Sequence, residues 1–211
     1  DARAFAAEIA SRHALDAGEI ERALAGARHD PEVIRLITPP SRKGVRSWRS
    51  YRARFLDRTR IDGGMRFWHE HADTLERAER ETGVPAEVIV AIIGVETIYG
   101  RNTGNFETLS TLATLAFDYP PRAELFRREL EALFLLAREQ GRDPASYYGS
   151  FAGALGYPQF LPSSMRAYAV DFDRNGAIDF EGDPVDAIGS VANYLRAHGW
   201  QAGAPVAERA R

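Results

Sequence analysis

Val84-Pro85-Ala86-Glu87-Val88-Ile89-Val90-Ala91-Ile92-Ile93-Gly94-Val95-Glu96-Thr97-Ile98-Tyr99-Gly100 is the most apolar stretch of this 211-residue chain. Read as a helix opened by Pro85, it sets Ile89, Ile92, Ile93 and Glu96 at i, i+3, i+4 and i+7, which predicts one buried stripe. A carboxylate on that stripe loses water, which disfavours its charged form and raises its pKa. A carboxylic acid that stays protonated near neutral pH can donate a proton to a leaving oxygen. The alternative is a helix-end glutamate that turns outward or pairs with Arg101.

The same helical period extends outward in both directions. Ala2 to Ala14 carry Phe5, Ile9 and Ala10; Asp16 can cap a second helix with Ile20, Ala23 and Leu24; Asp30-Pro31 suit the start of a third, through Ile37. Thr38-Pro39-Pro40-Ser41 breaks the pattern. One long helix is expected over 62–81 with Phe67, Trp68, Ala72, Leu75 and Ala78 inward. Pro120-Pro121 opens another over 122–140, closed by Gly141, and Asp183 caps the last, from about Pro184 to His198. No block shows sustained strand alternation and no internal repeat is visible, so the expected fold class is mainly α.

Composition excludes several functions. The apolar fraction is 45% and the charged fraction 27%, ordinary for a globular protein. A net charge of −3 argues against a nucleic-acid binder. Cysteine is absent, which rules out disulfides, thiol catalysis and cysteine–zinc sites in this chain. No apolar run approaches the roughly 20 residues of a membrane span. The chain opens at Asp1 without a leader, so a signal peptide was removed or none existed. Arg42, Lys43, Arg46, Trp48, Arg49, Tyr51, Arg52, Arg54, Phe55, Arg58 and Arg60 form a basic, aromatic segment. It can grip an anionic polymer or act as a solvated connector whose aromatics anchor it.

Two further stretches carry chemistry. Tyr147 to Ser164 mixes glycine, aromatic and small polar residues with little helical period. That suits a groove wall meeting sugar hydroxyls and sugar faces, and equally a tight structural turn. Asp171-Phe172-Asp173-Arg174-Asn175-Gly176-Ala177-Ile178-Asp179 matches the first nine positions of an EF-hand loop: oxygen ligands at 1, 3 and 5, glycine at 6 and a backbone carbonyl at 7. Position 12 is Gly182 rather than glutamate, so Glu181, Asp183 or Asp186 must supply the last carboxylate to calcium. The alternative is an Asx-rich turn without an ion.

Gly-Val-Glu-Thr-x-Tyr-Gly at 94–100, Phe-Asp-Tyr-Pro at 117–120 and Ser-Phe-Ala-Gly-Ala-x-Gly-Tyr at 150–157 resemble the lytic transglycosylase B family. So do Gln-Phe-x-Pro-Ser-Ser at 159–164, Ala-Val-Asp-Phe-Asp at 169–173, Val-Ala-Asn-Tyr-Leu at 191–195 and His-Gly-Trp at 198–200. The resemblance runs from about Tyr51 to Trp200. It implies a lysozyme-like catalytic core over 83–202 with an EF-hand-like loop at 171–186, an N-terminal helical subdomain over 1–82 and a tail over 203–211. It implies a periplasmic, exported enzyme, associated with the outer membrane in a full-length precursor. That enzyme would cleave the β-1,4 bond between N-acetylmuramic acid and N-acetylglucosamine in peptidoglycan and leave 1,6-anhydro ends. A goose-type lysozyme and a non-catalytic wall-binding module are the alternatives.

Residue by residue, the resemblance places Glu96 on the family's single acid/base. It places Tyr51 at the active-site edge and Ser150, Gln159 and Phe160 in the substrate groove. Asp171, Asp173, Asn175, the Ala177 carbonyl and Asp186 fall on a structural calcium loop. Peptidoglycan glycan strands are the implied partner, with room for cell-wall synthesis enzymes and none for nucleic acid. Three features depart from the pattern: Pro121, Arg122 and Leu125 stand where Arg-Arg and an aromatic are expected, one residue is inserted around Gly182, and a β-rich segment expected after His-Gly-Trp is not in the sequence. The expectation is a fragment or a naturally short member.

Overall fold

The computed structural model describes residues 2–39 and 47–207. Among them the helices are α1 (Ala2–His13), α2 (Ala17–Gly26), α3 (Pro31–Ile37), α4 (Trp48–Arg52), α5 (Arg58–Glu70), α6 (Ala72–Thr82), α7 (Ala86–Thr97), α8 (Thr108–Asp118), α9 (Ala123–Gln140), α10 (Pro162–Tyr168) and α11 (Pro184–Ala197). The mainly helical expectation holds. The expectation of no strands is corrected: Phe106–Glu107 (β1) pairs antiparallel with Tyr148–Gly149 (β2), Phe106 opposite Gly149 and Glu107 opposite Tyr148. Two-residue strands cannot display an alternation.

Backbone contacts divide the chain into two units. One takes the described residues of 1–45 and 103–167, the other those of 46–102 and 168–211. Both are discontinuous in sequence. In the first unit α8 packs chiefly against α9. Leu109, Leu112 and Leu115 meet a core that includes Phe126, Leu130 and Leu133. Two buried hydroxyls of α8 reach the neighbouring connection: Ser110 Oγ accepts from the Arg28 N–H at 2.8 Å and Thr114 Oγ1 from the Asp30 N–H at 3.1 Å. These polar residues thereby satisfy the backbone between α2 and α3, which buried N–H groups require.

In the second unit α7 packs against α5, α6 and α11. Leu75, Ala78, Val84, Ile89, Ile93, Ile188 and Val191 are buried there. The single helix expected over 62–81 is two. His71, at φ −119° and ψ 26°, separates α5 from α6, so that α5 follows α7 while α6 packs mainly on α11. Trp68, expected inward, is 39% exposed, because the buried stripe of α5 runs through Gly63, Gly64 and Phe67. Of the readings above, those on Pro40, Ser41, Arg42, Lys43, Arg46 and the end of the tail lie outside the described residues.

Candidate active site

Helix α7 has no side chain of its own for an N-cap behind Pro85; the Glu79 carboxylate on α6 accepts from the Ala86 N–H at 3.1 Å instead. At the other end the backbone turns sharply. Ile98, Tyr99 and Gly100 all take positive φ (53°, 58° and 81°). For a β-branched residue such as Ile98 this conformation costs on the order of 1–3 kcal/mol. The turn is held by the Asn102 N–H on the Thr97 carbonyl (2.9 Å) and the Gly100 N–H on Thr97 Oγ1 (3.1 Å).

Glu96 stands on the last turn before this bend, and the expectation that it is buried is corrected. Ile89 and Ile93 are fully buried, Ile92 is half-buried and Glu96 is exposed. Helical period assigns the correct side of α7, but the core ends one turn before Glu96. The carboxyl still has enough protein around it for lost hydration to raise its pKa above the ordinary glutamate value, and desolvation is the sole cause. Among the described residues Arg101 makes no ion pair with Glu96, and no neighbouring charge contributes to the shift.

Tyr51 belongs to the same unit. On α4 it is 57% exposed, stacked with Trp48 (centroids 6.0 Å) and tilted against Phe55 (5.1 Å). Contacts lead from it towards α7: the Arg60 guanidinium lies 5.6 Å from the Phe55 ring centre, and Arg60 Nε donates to the Gly94 carbonyl at 3.2 Å. The aromatics of the basic segment stack on one another and stay largely exposed.

Ser150, Gln159 and Phe160 fall in the first unit. There the segment 147–161 is folded tightly on itself. The Ser150 N–H donates to the Ala154 carbonyl, and Leu155 and Phe160 exchange backbone hydrogen bonds of 2.8 and 3.2 Å. Ser150 Oγ accepts from the N–H groups of Ala152 and Ala154. Gln159 takes positive φ (53°), and its amide nitrogen donates to the carbonyls of Thr103 and Gly156 at 3.1 and 3.0 Å. Both internal bonds use Nε2. Phe160 is buried. Of the two alternatives, the tight turn is what these internal hydrogen bonds build.

The loop after α10 gathers carboxylates. Ligand atoms of Asp171, Asp173 and Asp186 lie within 4.8 Å of one another. Asp186 is 3% exposed and takes three backbone N–H groups, from Phe172 (2.6 Å), Asp173 (3.4 Å) and Asp179 (2.8 Å). Burial pushes its carboxyl above the ordinary aspartate value, against the pull of those bonds. Burial also works against ionisation of Asp171, but the N–H groups of Gly176 and Asn175 hold that carboxyl below its usual range. Asn175 Oδ1 accepts from the Ala177 N–H. Asp183 caps α11 through the Val185 N–H, so of the three acids left open for the last position Asp186 is the one in the cluster. Hard oxygen donors of this kind and number fit calcium. Ala177 is exposed at the loop's seventh position.

One feature near Glu96 escaped the sequence reading. The Tyr99 ring fills a slot among Gly63 and Gly64 of α5 and Gly94 of α7. Glycine inside a helix costs about 1 kcal/mol relative to alanine, so three such residues were the available signal.

Residues 1–211 match the family described as Transglycosylase SLT domain. The chain is 45% identical over 216 residues to membrane-bound lytic murein transglycosylase B of Escherichia coli strain K12, covering 98% of this chain and 59% of that protein. The structure resembles soluble lytic transglycosylase SltB1 of Pseudomonas aeruginosa with a TM-score of 0.94 at 49% identity, over 97% of this chain and 69% of the other. It also resembles Escherichia coli SLT35 in complex with calcium, with a TM-score of 0.90 at 46% identity, over 97% and 65%. The lysozyme-like fold expectation holds, and this chain spans about three fifths of its curated relative.

Proposed function

The chain belongs to the Transglycosylase SLT domain family, and from that premise and the chemistry at Glu96 we propose that it is the catalytic portion of a periplasmic lytic transglycosylase acting on peptidoglycan. The observation that carries the reading is the position of the Glu96 carboxyl on the last turn of α7, where lost hydration raises its pKa above the ordinary glutamate value. Glu96 donates its proton to the glycosidic oxygen between N-acetylmuramic acid and N-acetylglucosamine. The bond from C1 to that oxygen breaks, and the positive charge left at C1 is shared with the ring oxygen or the sugar's own acetamide. The Glu96 carboxylate then takes the proton from the muramyl C6 hydroxyl as its oxygen bonds to C1. The 1,6-anhydro ring closes, Glu96 is again protonated, and no water is consumed. One group serves both steps best when its pKa lies near ambient pH, and an internal nucleophile brings the proximity advantage of intramolecular reactions.

Tyr51, Ser150, Gln159 and Phe160 belong to the proposal as substrate-binding residues. Gln159 contributes its amide oxygen, and the exposed Tyr51 ring a face for a sugar. Residues 1–82 serve as the helical subdomain, 83–202 as the catalytic core and 203–211 as a tail. The chain works on glycan strands and alongside wall-synthesis enzymes. No helix among the described residues is long and apolar enough to cross a membrane. Calcium is held by Asp171, Asp173, Asn175, the Ala177 carbonyl and Asp186. Bound there, calcium would neutralise the clustered carboxylates of Asp171, Asp173 and Asp186 ahead of α11. The calcium in the SLT35 complex supports this assignment.

Glu96→Gln preserves shape and removes the proton. Turnover of purified cell-wall sacculi falls by at least the roughly 10²–10⁴ ascribed to general acid catalysis, and the melting temperature holds or rises slightly. Near-wild-type digestion would refute the assignment.

A further inference from the structure

We propose that Tyr99 and Arg60 form a clasp that positions the Glu96 carboxyl, and that Gly63, Gly64 and Gly94 are glycine in order to admit it. The inference rests on the reading of Glu96 as the acid. The two residues bind each other's helices reciprocally. The Tyr99 hydroxyl donates to the Arg60 carbonyl on α5 at 3.0 Å, and Arg60 Nε donates to the Gly94 carbonyl in the last turn of α7 at 3.2 Å. Arg60 is itself oriented by Asp57 at 2.6 Å and by the Arg54 carbonyl at 3.0 Å.

The Tyr99 ring lies where two helix backbones approach most closely. A methyl group on Gly63 would lie 2.9 Å from its ring, one on Gly64 would lie 2.5 Å from its hydroxyl oxygen, and one on Gly94 would collide with that oxygen. Phe67 closes the slot, with ring centres 5.3 Å apart. Tyr99 reaches this slot only because the chain reverses through Ile98 and Tyr99 at positive φ, two residues after Glu96. The strained turn and the hydroxyl bond hold each other in place. Glu96 lies outside the core, so burial does not fix its direction. The last turn of α7, tied through Gly94 on one side and Tyr99 on the other, fixes it instead. Tyr99 and Arg60 are positioning residues; neither takes part in proton transfer.

Three variants test the clasp, assayed beside wild type and Glu96→Gln. Tyr99→Phe keeps the ring and removes the donor to Arg60. Its kcat falls about 10- to 100-fold, the scale of an ångström-level misplacement of a reacting group, while KM stays within about twofold. The basic limb of its kcat/KM profile moves down towards the ordinary glutamate range as Glu96 gains water. Gly64→Ala expels the phenol and falls further. In the double variant Gly64→Ala, Tyr99→Phe the nearest ring carbon is 3.2 Å from the new methyl, a contact relieved by a few tenths of an ångström, so kcat rises from the Gly64→Ala level towards that of Tyr99→Phe. Arg60→Lys, which removes the Nε bond but keeps the charge, gives a kcat-only loss of its own and covers the case in which a Tyr99 variant fails to fold. Wild-type kcat and pH profile in Tyr99→Phe with Glu96→Gln inactive overturns the clasp alone. A Gly64→Ala defect that Tyr99→Phe does not relieve also overturns it. Full activity of Glu96→Gln overturns the acid assignment, and the clasp with it.

Discussion

Asp186→Asn separates what the acidic loop costs from what calcium supplies. Asp186 Oδ1 accepts from Phe172 and Asp173, and Oδ2 from Asp179 at 2.8 Å. Asparagine can keep the first pair but turns an NH2 group towards the Asp179 N–H, leaving a part-buried donor unsatisfied at about 1–3 kcal/mol. Against that, a carboxylate leaves a cluster of three. Carboxylates whose ligand atoms lie within 4.8 Å of one another repel, but solvent reaching Asp171 and the exposed Asp173 screens the repulsion down to the scale of about 1 kcal/mol found for exposed charge pairs. In metal-free protein the two effects partly cancel, and the variant melts at or a little below wild type. With calcium the result differs. Wild type gains about 2.7 kcal/mol at a hundredfold excess over Kd, roughly 5–10 °C for a chain of this size, and the variant gains little. Paired calorimetric melts in chelator and in calcium measure this. Equal calcium shifts in both proteins, or none in wild type, would refute the reasoning.

Three further outcomes are expected. In the folded chain Glu96 keeps its proton at pH values where an unfolded glutamate is ionised. Stability therefore falls as pH rises from the ordinary glutamate value through the raised one, and urea titrations across that window will be flatter for Glu96→Gln. For the same reason the basic limb of kcat/KM for wild type lies above the ordinary carboxylate range, read from rates on a soluble muropeptide; a limb within that range contradicts the proton-donor role. Glu129, 4% exposed, accepts from Ser163 N–H (3.0 Å) and Oγ (2.7 Å) at the start of α10. Glu129→Ala costs about 3 kcal/mol from two hydrogen bonds to a charged group, visible as a lower denaturant midpoint, and a change under about 0.5 kcal/mol would contradict the capping role.

Helix α7 was legible because its apolar run is long and its ends carry Pro85 and Gly100. The exposure of Glu96 was not, since periodicity gives a side of a helix and says nothing of where along the axis the core stops. Helix α8 was missed because Ser110 and Thr114 look unsuited to a buried helix; their partners, the N–H groups of Arg28 and Asp30, lie some eighty residues away. The sequence left three acids open for the end of the acidic loop. The fold separates them by giving Asp183 to the α11 cap and Asp186 to the cluster. The Tyr99 slot was readable in principle from glycines at 63, 64 and 94 inside helical segments, but which ring they admit depends on how α5 meets α7.

Digestion of sacculi in oxygen-18 water, followed by mass spectrometry of the muropeptides, tests the central claim most directly. Glu96 acting alone on the muramyl C6 hydroxyl predicts 1,6-anhydro ends, each one water lighter than a hydrolysis product and free of label. Reducing ends carrying oxygen-18 would contradict the account and identify the chain as a hydrolase.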